Sequence, residues 1–189
     1  MIGVMRKVIY SMTVSLDGFI AGPDGDIGWG APDDELHRFH NERVRDVGVQ
    51  LCGRRLYEVM TYWDTALEDP ALSETASEFA HIWERIPKVV FSTTLETVSG
   101  NARLATGTVA EEIARLKEQP GADIAVGGAG LAAACIELGL VDVFQVFVSP
   151  IVLGAGTPFF PPTAERIELE LLETRTFGSR VVYLHYGRV

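Results

Sequence analysis

The sequence predicts a single α/β domain with a mostly parallel central sheet and antiparallel strands at its C-terminal end. Short β-branched runs alternate with amphipathic helical stretches over the first two thirds of the chain, which is typical of parallel α/β folds. The last third changes to strands separated by a Gly/Pro-rich loop, as when antiparallel strands extend a parallel sheet. A length of 189 residues without an internal repeat or linker fits one domain over residues 1–189.

The first half of the chain contains three predicted strands and three predicted helices. The helix over 33–47 begins with acidic residues, which stabilise a helix N-terminus, and it places Leu36, Phe39 and Val44 near one face. Pro87 follows the third helix and marks its end. In chain order the elements are a strand over 7–16, the helix over 33–47, a strand over 48–52, a helical stretch over 53–63, a helix over 73–86 and a strand over 88–92.

The second half continues this alternation and then departs from it. Thr108 and Glu111 have the spacing of a capping box, which predicts the start of a helix that ends before Gly121. The remaining elements are a strand over 123–126, a glycine turn over 127–130, a helix over 131–138, an apolar run over 143–152, a Gly/Pro loop over 154–162, and strands over 167–175 and 180–186.

Composition and charge argue against several classes of protein. The formal net charge of −10 disfavours nucleic-acid binding, which usually requires a basic face. No apolar run reaches the roughly 18 residues of a membrane span and the N-terminal segment lacks a secretory pattern, so we expect a cytoplasmic protein without membrane contact. Cys52 and Cys135 lie among apolar neighbours and predict buried thiols. No zinc-ligand pattern is present, so no metal is expected.

The segment DIAVGGAGL joins a strand to a helix through glycines. Glycines let a ligand approach the backbone closely, and the first free N–H groups of a helix attract an anion such as a pyrophosphate. Gly128, Gly130 and Ala133 also spell G-x-G-x-x-A, which leaves a dehydrogenase of the Rossmann type as an alternative. A tight strand-to-helix turn without a ligand explains the same glycines.

The segment CGRRLYEVM is a second junction between a strand and a helix. Arg54 and Arg55 fall in the first helical turn, where basic side chains oppose the helix dipole unless they share a bound phosphate. Ser92 and Thr93 end the next predicted strand and offer hydroxyl groups at the same edge of the sheet. Solvated arginines and an ordinary turn are the alternatives.

A glycine-rich loop follows the first strand and carries Trp29 before a run of acids over 33–35. Such a loop could close over a substrate and expel water, which hydride transfer requires. An acid at the start of the helix could hydrogen-bond a heterocycle and help to supply a proton. Simple capping of the helix explains any one of these acids equally well.

These segments, in this order, resemble the dihydrofolate reductase superfamily and, more closely, stand-alone bacterial members of its riboflavin-biosynthesis reductase branch. The matching segments are SMTVSLDGFIAG, GRRLYEVM, VVFST, VGGAGL and DVFQVFVSPIVLGAGTPFF. The resemblance implies a three-layer α/β/α fold of the dihydrofolate reductase type. It also implies an NADPH-dependent reductase that transfers hydride to a pterin- or aminopyrimidine-like heterocycle, similar to 5-amino-6-(5-phosphoribosylamino)uracil reductase.

The resemblance also assigns roles to individual residues. Trp29, Pro32 and Asp34 reproduce a Trp-x-x-Pro-x-Asp spacing, which implies Asp34 as the catalytic acid and Trp29 as a substrate-side residue. Asp17 is common to the riboflavin-type branch, and the resemblance implies that it shapes the loop and lies on the substrate side. Within the implied cofactor set, Ile20 and Ala21 lie near the nicotinamide, the arginines and hydroxyls hold the 2′-phosphate, and the glycine turn supports the pyrophosphate. The full set is Ile20, Ala21, Gly53, Arg54, Arg55, Ser92, Thr93, Gly127, Gly128, Ala129, Gly130 and Leu131.

Several alternatives stay open on the sequence alone. Val126 stands where the riboflavin-pathway reductase usually carries Glu, so the substrate is not fixed. A non-catalytic NADPH- or antifolate-binding protein of the same fold and a purely structural domain are also compatible with the pattern. The apolar run over 143–152 could pack against a second copy in a homodimer, although a core strand explains the same run.

Overall fold

The computed structural model describes residues 5–189 and confirms the predicted α/β fold class. Within these residues the chain forms ten strands and six α-helices. The strands are β1 (Val8–Val14), β2 (Phe19–Ala21), β3 (Val47–Gly53), β4 (Lys88–Phe91), β5 (Ala102–Leu104), β6 (Asp123–Gly127), β7 (Val143–Val148), β8 (Thr157–Pro158), β9 (Leu169–Thr176) and β10 (Val182–Arg188). The helices are α1 (Asp34–Arg45), α2 (Arg54–Met60), α3 (Tyr62–Thr65), α4 (Glu74–Arg85), α5 (Val109–Lys117) and α6 (Ala129–Glu137).

The main sheet has eight strands in the order β5-β4-β3-β6-β1-β7-β10-β9. Neighbouring strands from β5 to β7 are parallel, whereas β10 pairs antiparallel with β7 and with β9. The predicted change from parallel to antiparallel pairing in the last third is therefore confirmed. Because the carboxyl ends of parallel strands meet at one edge, the turns after β3, β4 and β6 come together there.

Helices cover both faces of this sheet and give it three layers. On one face α5 and α6 pack over a core that includes Val8, Tyr10, Ile124 and Phe144. On the other face α1 and α4 contact each other, and α1 packs through Phe39 against aromatic side chains of β7 and β10. Successive strand residues point to opposite faces, which lets one sheet supply both a core and a binding surface.

Strands β2 and β8 form a separate two-stranded ribbon at the carboxyl edge of β1. Ala21 pairs with Thr157, and the Phe159 amide donates to the Gly18 carbonyl at 2.9 Å. Gly156 has φ +144°, and a Cβ at this position would lie 2.0 Å from the Ala21 carbonyl oxygen. Only glycine therefore permits this close approach of the two segments.

Several predicted boundaries differ from the structure by one or more residues, and two of these differences have a plain physical reason. The apolar run over 143–152 continues as a strand only to Val148, because Pro150 follows and cannot donate to a ladder. Strand β7 lies between β1 and β10 with Val143 and Phe144 buried, so core packing accounts for the run that suggested a homodimer. A homodimer stays a prediction. Helix α6 begins two residues earlier than expected, at Ala129, because Gly128 with φ +93° ends the turn.

Candidate cofactor and substrate site

The glycine turn after β6 leaves the start of α6 open to a ligand. Gly128 is the N-cap residue and has no side chain to bond the first amides, so those of Ala129, Gly130 and Leu131 are not capped by a side chain. A Cβ on Gly130 would meet no atom within 4 Å, so open space lies beside this turn. A Cβ built on Gly53, which precedes α2, would lie 3.9 Å from Leu131 Cβ. The predicted pyrophosphate residues are thus together and fit an anion.

Arg54, Ser92 and Thr93 line one open groove of about 590 Å³ at the ends of β3 and β4. The Arg54 Nη1 donates to the Thr94 hydroxyl at 3.0 Å, and Arg54 Nε lies 3.6 Å from Glu58. The structure therefore brings together the arginine and hydroxyls predicted for a phosphate. Arg55 is exposed and does not line this groove.

A cavity of about 360 Å³ lies between the sheet and helices α1, α2 and α4. Three of the predicted residues line it, namely Ile20 of β2, Trp29 of a 3₁₀ turn, and Gly127 at the end of β6. A Cβ on Gly127 would lie 2.3 Å from Leu56 Cδ2, so the Leu56 side chain would have to shift where α2 packs over the turn. Ala21 adjoins Ile20 in β2. The two residues predicted to lie near the nicotinamide are thus at or next to the cavity.

The cavity also contains polar side chains that sequence reasoning missed. Those on strands share a sequence signal, which is a polar residue at every second position or inside an apolar run, as in the VGVQLC and VFQVFV segments, whereas those on α1 have no such signal. Such a residue on a buried strand needs a partner, and a ligand can supply one. The missed polar residues are Ser11, Thr13, His40, Arg43, Gln50 and Gln145.

Asp34 begins α1 but faces α4. Its Oδ1 accepts a hydrogen bond from the Thr75 hydroxyl at 3.1 Å, and it is not among the residues that line the cavity. Asp33 is the N-cap residue, with its side chain accepting from the Leu36 amide at 2.9 Å. The role of Asp34 as substrate acid stays a prediction.

The Asp17 side chain binds the loop after β7 and does not face the cavity lining. Its two carboxylate oxygens accept from the backbone amides of Leu153 at 3.1 Å and Gly154 at 2.7 Å. This carboxylate therefore fastens the loop that leads into β8, and Asp17 does not line the cavity. These hydrogen bonds agree with the expectation that Asp17 shapes the loop, and its contact with a substrate stays a prediction.

We expect Asp17→Asn to remove a stabilising contact that depends on pH. Hydrogen bonding by the nearby Ser15 hydroxyl and by the two loop amides lowers the pKa of Asp17 from 3.8 to about 2. Because the folded-state pKa is the lower one, the stabilisation is present above about pH 4 and is lost as the pH falls towards 2. Urea unfolding of both proteins across this range should give a difference in stability that shrinks on acidification. A difference that is constant with pH would contradict this role.

The arrangement differs from a Rossmann domain. In that fold the G-x-G-x-x-G turn follows the first strand, whereas here the turn follows β6 and the sheet ends in antiparallel strands. Across residues 5–189, no group of three or more His, Cys, Asp or Glu side chains is placed to hold a metal ion. Nor does any helix in that range have the length and apolar character needed to cross a membrane.

The fold and this edge of the sheet define a protein of the dihydrofolate reductase-like class. It superimposes on dihydrofolate reductase from Enterococcus faecalis, complexed with NADP(H) and RAB-propyl, with a TM-score of 0.65. The sequence identity is 16%, and the match covers 98% of this chain and 99% of that chain. A candidate riboflavin biosynthesis protein of Shewanella sp. PV-4 gives a TM-score of 0.76 at 18% identity, over 98% of this chain and 99% of that chain.

The sequence matches narrow this class to one family. The model of the RibD C-terminal domain matches residues 6–183, and the chain belongs to that family. The uncharacterized protein YyaP of Bacillus subtilis is 35% identical over 182 residues, covering 96% of this chain and 94% of YyaP. The resemblance inferred from the sequence is therefore confirmed.

Proposed function

We propose that this protein is an NADPH-dependent reductase that transfers hydride to a flat pterin- or aminopyrimidine-like heterocycle. The observation that carries this proposal is the juxtaposition of the Arg54–Ser92–Thr93 groove, the uncapped start of α6 and the cavity lined by Ile20 and Gly127. An anionic, elongated cofactor lying along the carboxyl edge of the sheet would contact all three. The similarity in fold to a dihydrofolate reductase complexed with NADP(H) supports the choice of cofactor.

The residues of the groove and the glycine turn would bind and orient the cofactor. Arg54 can exchange its exposed contact with Glu58 for a 2′-phosphate at little cost, since exposed i,i+4 ion pairs contribute only about 0.3–0.5 kcal/mol. Ser92 and Thr93 would add neutral hydrogen bonds, and the first amides of α6 would face the pyrophosphate. Recognition of the 2′-phosphate is what would distinguish NADPH from NADH.

The cavity residues would position the substrate and exclude water. When bound, NADPH supplies a hydride from its dihydropyridine ring. Ile20 and Trp29 would hold the two reacting rings together, where an approach of about 3–3.5 Å allows transfer. Asp34, or a water beside it, is proposed to assist protonation, and full turnover by an Asp34→Asn variant would remove that residue from the mechanism.

Titration of the purified protein with NADPH and with NADH, followed by quenching of tryptophan fluorescence, tests the cofactor assignment. We expect micromolar binding of NADPH and binding of NADH that is weaker by at least about tenfold, because only NADPH carries the phosphate that Arg54 would hold. Oxidation of NADPH in the presence of pterins and aminopyrimidines then tests catalysis. Tight NADPH binding without turnover on any of them would favour a non-catalytic binding protein, and no binding of either nucleotide would refute the proposal.

A further inference from the structure

Among the described residues that line the cavity, one side chain carries a full charge at neutral pH, and it is paired. Among the described residues that line it, Arg43 and His40 are the only ones with basic side chains, and none carries a carboxylate. The remaining polar lining consists of hydroxyl and amide groups, such as those of Ser11 and Gln145. A ligand in this cavity therefore meets at most one full charge.

That charge is neutralised by Glu173 of β9. Arg43 Nη2 donates to both carboxylate oxygens of Glu173, at 3.0 Å and 2.7 Å. The guanidinium carbon also lies 4.7 Å from the ring centre of Phe39 and 5.4 Å from that of Tyr183. Two aromatic rings and a carboxylate thus contact the guanidinium and favour one orientation, and none of these three residues lines the cavity.

The two neighbouring histidines do not add a positive charge. Burial, with a smaller contribution from His37, lowers the pKa of His40 to about 4, so its imidazole is neutral at neutral pH. Burial and then the Arg43 charge lower the pKa of His185, whose Nδ1 lies 3.7 Å from Glu173. Glu173 therefore compensates Arg43 alone, and the pair has no net charge.

We propose that the substrate of this chain is an uncharged heterocycle, and that Glu173 determines this preference by compensating Arg43. The inference rests on the proposed reductase function and deepens it. A phosphate or carboxylate placed beside Arg43 would also lie close to Glu173, so attraction and repulsion would largely cancel. Its desolvation in an apolar cavity would then be uncompensated, whereas a neutral ring with amide groups can hydrogen-bond the polar lining.

Calorimetric titration with pterin and pterin-6-carboxylate, in the presence of saturating NADP⁺, tests this inference. The two probes share a ring system and differ by one carboxylate. We expect the wild-type protein to bind pterin at least about tenfold more tightly, and Glu173→Gln to strengthen binding of the carboxylate by about tenfold because Arg43 becomes uncompensated. The affinity of Glu173→Gln for pterin should change by less than about threefold.

Two further variants separate this effect from a loss of structure. Glu170→Gln, at an exposed position of the same strand, removes an equal charge away from Arg43 and should leave the preference unchanged. The double variant Arg43→Gln, Glu173→Gln again has no net charge at this place and should restore the preference for pterin. Gain of carboxylate binding in the single variant and its loss in the double variant cannot follow from unfolding.

The possible negative results of these titrations bear on different parts of the proposal. Equal or tighter binding of the carboxylate by the wild-type protein, or an unchanged preference in Glu173→Gln, would overturn the inference and leave the reductase proposal standing. Binding of NADP⁺ without binding of either pterin would also overturn it. Absence of NADP⁺ binding would refute the proposed function itself, and the inference with it.

Discussion

Replacing Arg54 by alanine is expected to weaken NADPH binding by about 10- to 100-fold and to leave NADH binding unchanged. The reason is that a hydrogen bond to a charged group contributes about 1.5–3 kcal/mol, and the 2′-phosphate is the only charged group that distinguishes the two nucleotides. Arg54 is the arginine that shares its groove with Ser92 and Thr93. Fluorescence titration of wild type and variant with both nucleotides measures the effect.

Arg55→Ala provides the matched control for this prediction. Arg55 is the next residue of α2, carries the same charge and is exposed, but it lies outside the groove. Its replacement should change NADPH affinity by less than about threefold, since a neighbouring exposed charge acts only through screened solvent. A larger loss in Arg55→Ala than in Arg54→Ala would assign the phosphate to the other arginine. Equal losses of NADPH and NADH binding in Arg54→Ala would remove the phosphate contact from the proposal.

Gly156→Ala is expected to lower the free energy of unfolding by about 2–4 kcal/mol, or to detach β8 from β2 and weaken NADPH binding. The new Cβ would lie 2.0 Å from the Ala21 carbonyl oxygen, and a backbone atom cannot move aside as a side chain can. The backbone at φ +144° also disfavours alanine. Because β2 contains Ile20 and Ala21, either outcome would disturb the two residues predicted to lie near the nicotinamide. Denaturant unfolding and nucleotide titration on the same variant distinguish the two outcomes.

Gly154→Ala separates conformational strain from the steric clash. Gly154 has φ +78°, and a Cβ there would meet no atom within 4 Å. We expect a loss of about 1 kcal/mol from the left-handed backbone alone, with NADPH affinity retained. If the two alanine variants behaved alike, the close contact between Gly156 and Ala21 would not be what fixes the ribbon.

Most of the fold could be predicted because its elements carry local signals. The capping box of Thr108 and Glu111 is present in α5, and the glycines after β6 lead into α6 as expected. Strands β2, β5 and β8 were not predicted. They are two or three residues long, and they are strands only through pairing with segments far away in sequence, which no local pattern records.

The grouping of candidate site residues was predictable where these residues follow strands directly. Arg54, Ser92 and Thr93 each lie at the end of a parallel strand, and parallel strands bring such positions to one edge. The role of Asp34 was inferred from the resemblance of the Trp-x-x-Pro-x-Asp run, which says nothing of where the side chain points. The phase of α1 decides where its side chain points, and it directs Asp34 to Thr75 while His40 and Arg43 line the cavity. The pairing of Arg43 with Glu173 joins a helix to the edge strand, so no single segment of sequence contains it.

The ribbon of β2 and β8 has a consequence for the order in which this chain acquires its parts during synthesis. All residues of the groove lined by Arg54, Ser92 and Thr93 and of the glycine turn have been synthesised once α6 has been made, because they belong to β3, β4, β6 and the segments that follow them. Strand β2 is translated far earlier but acquires its partner only when Thr157 emerges from the ribosome. A nascent chain that ends before that point contains every residue of the groove and of the glycine turn but lacks the partner strand of β2. The β2–β8 ribbon beside the cavity is therefore among the last parts of the fold that can form during synthesis.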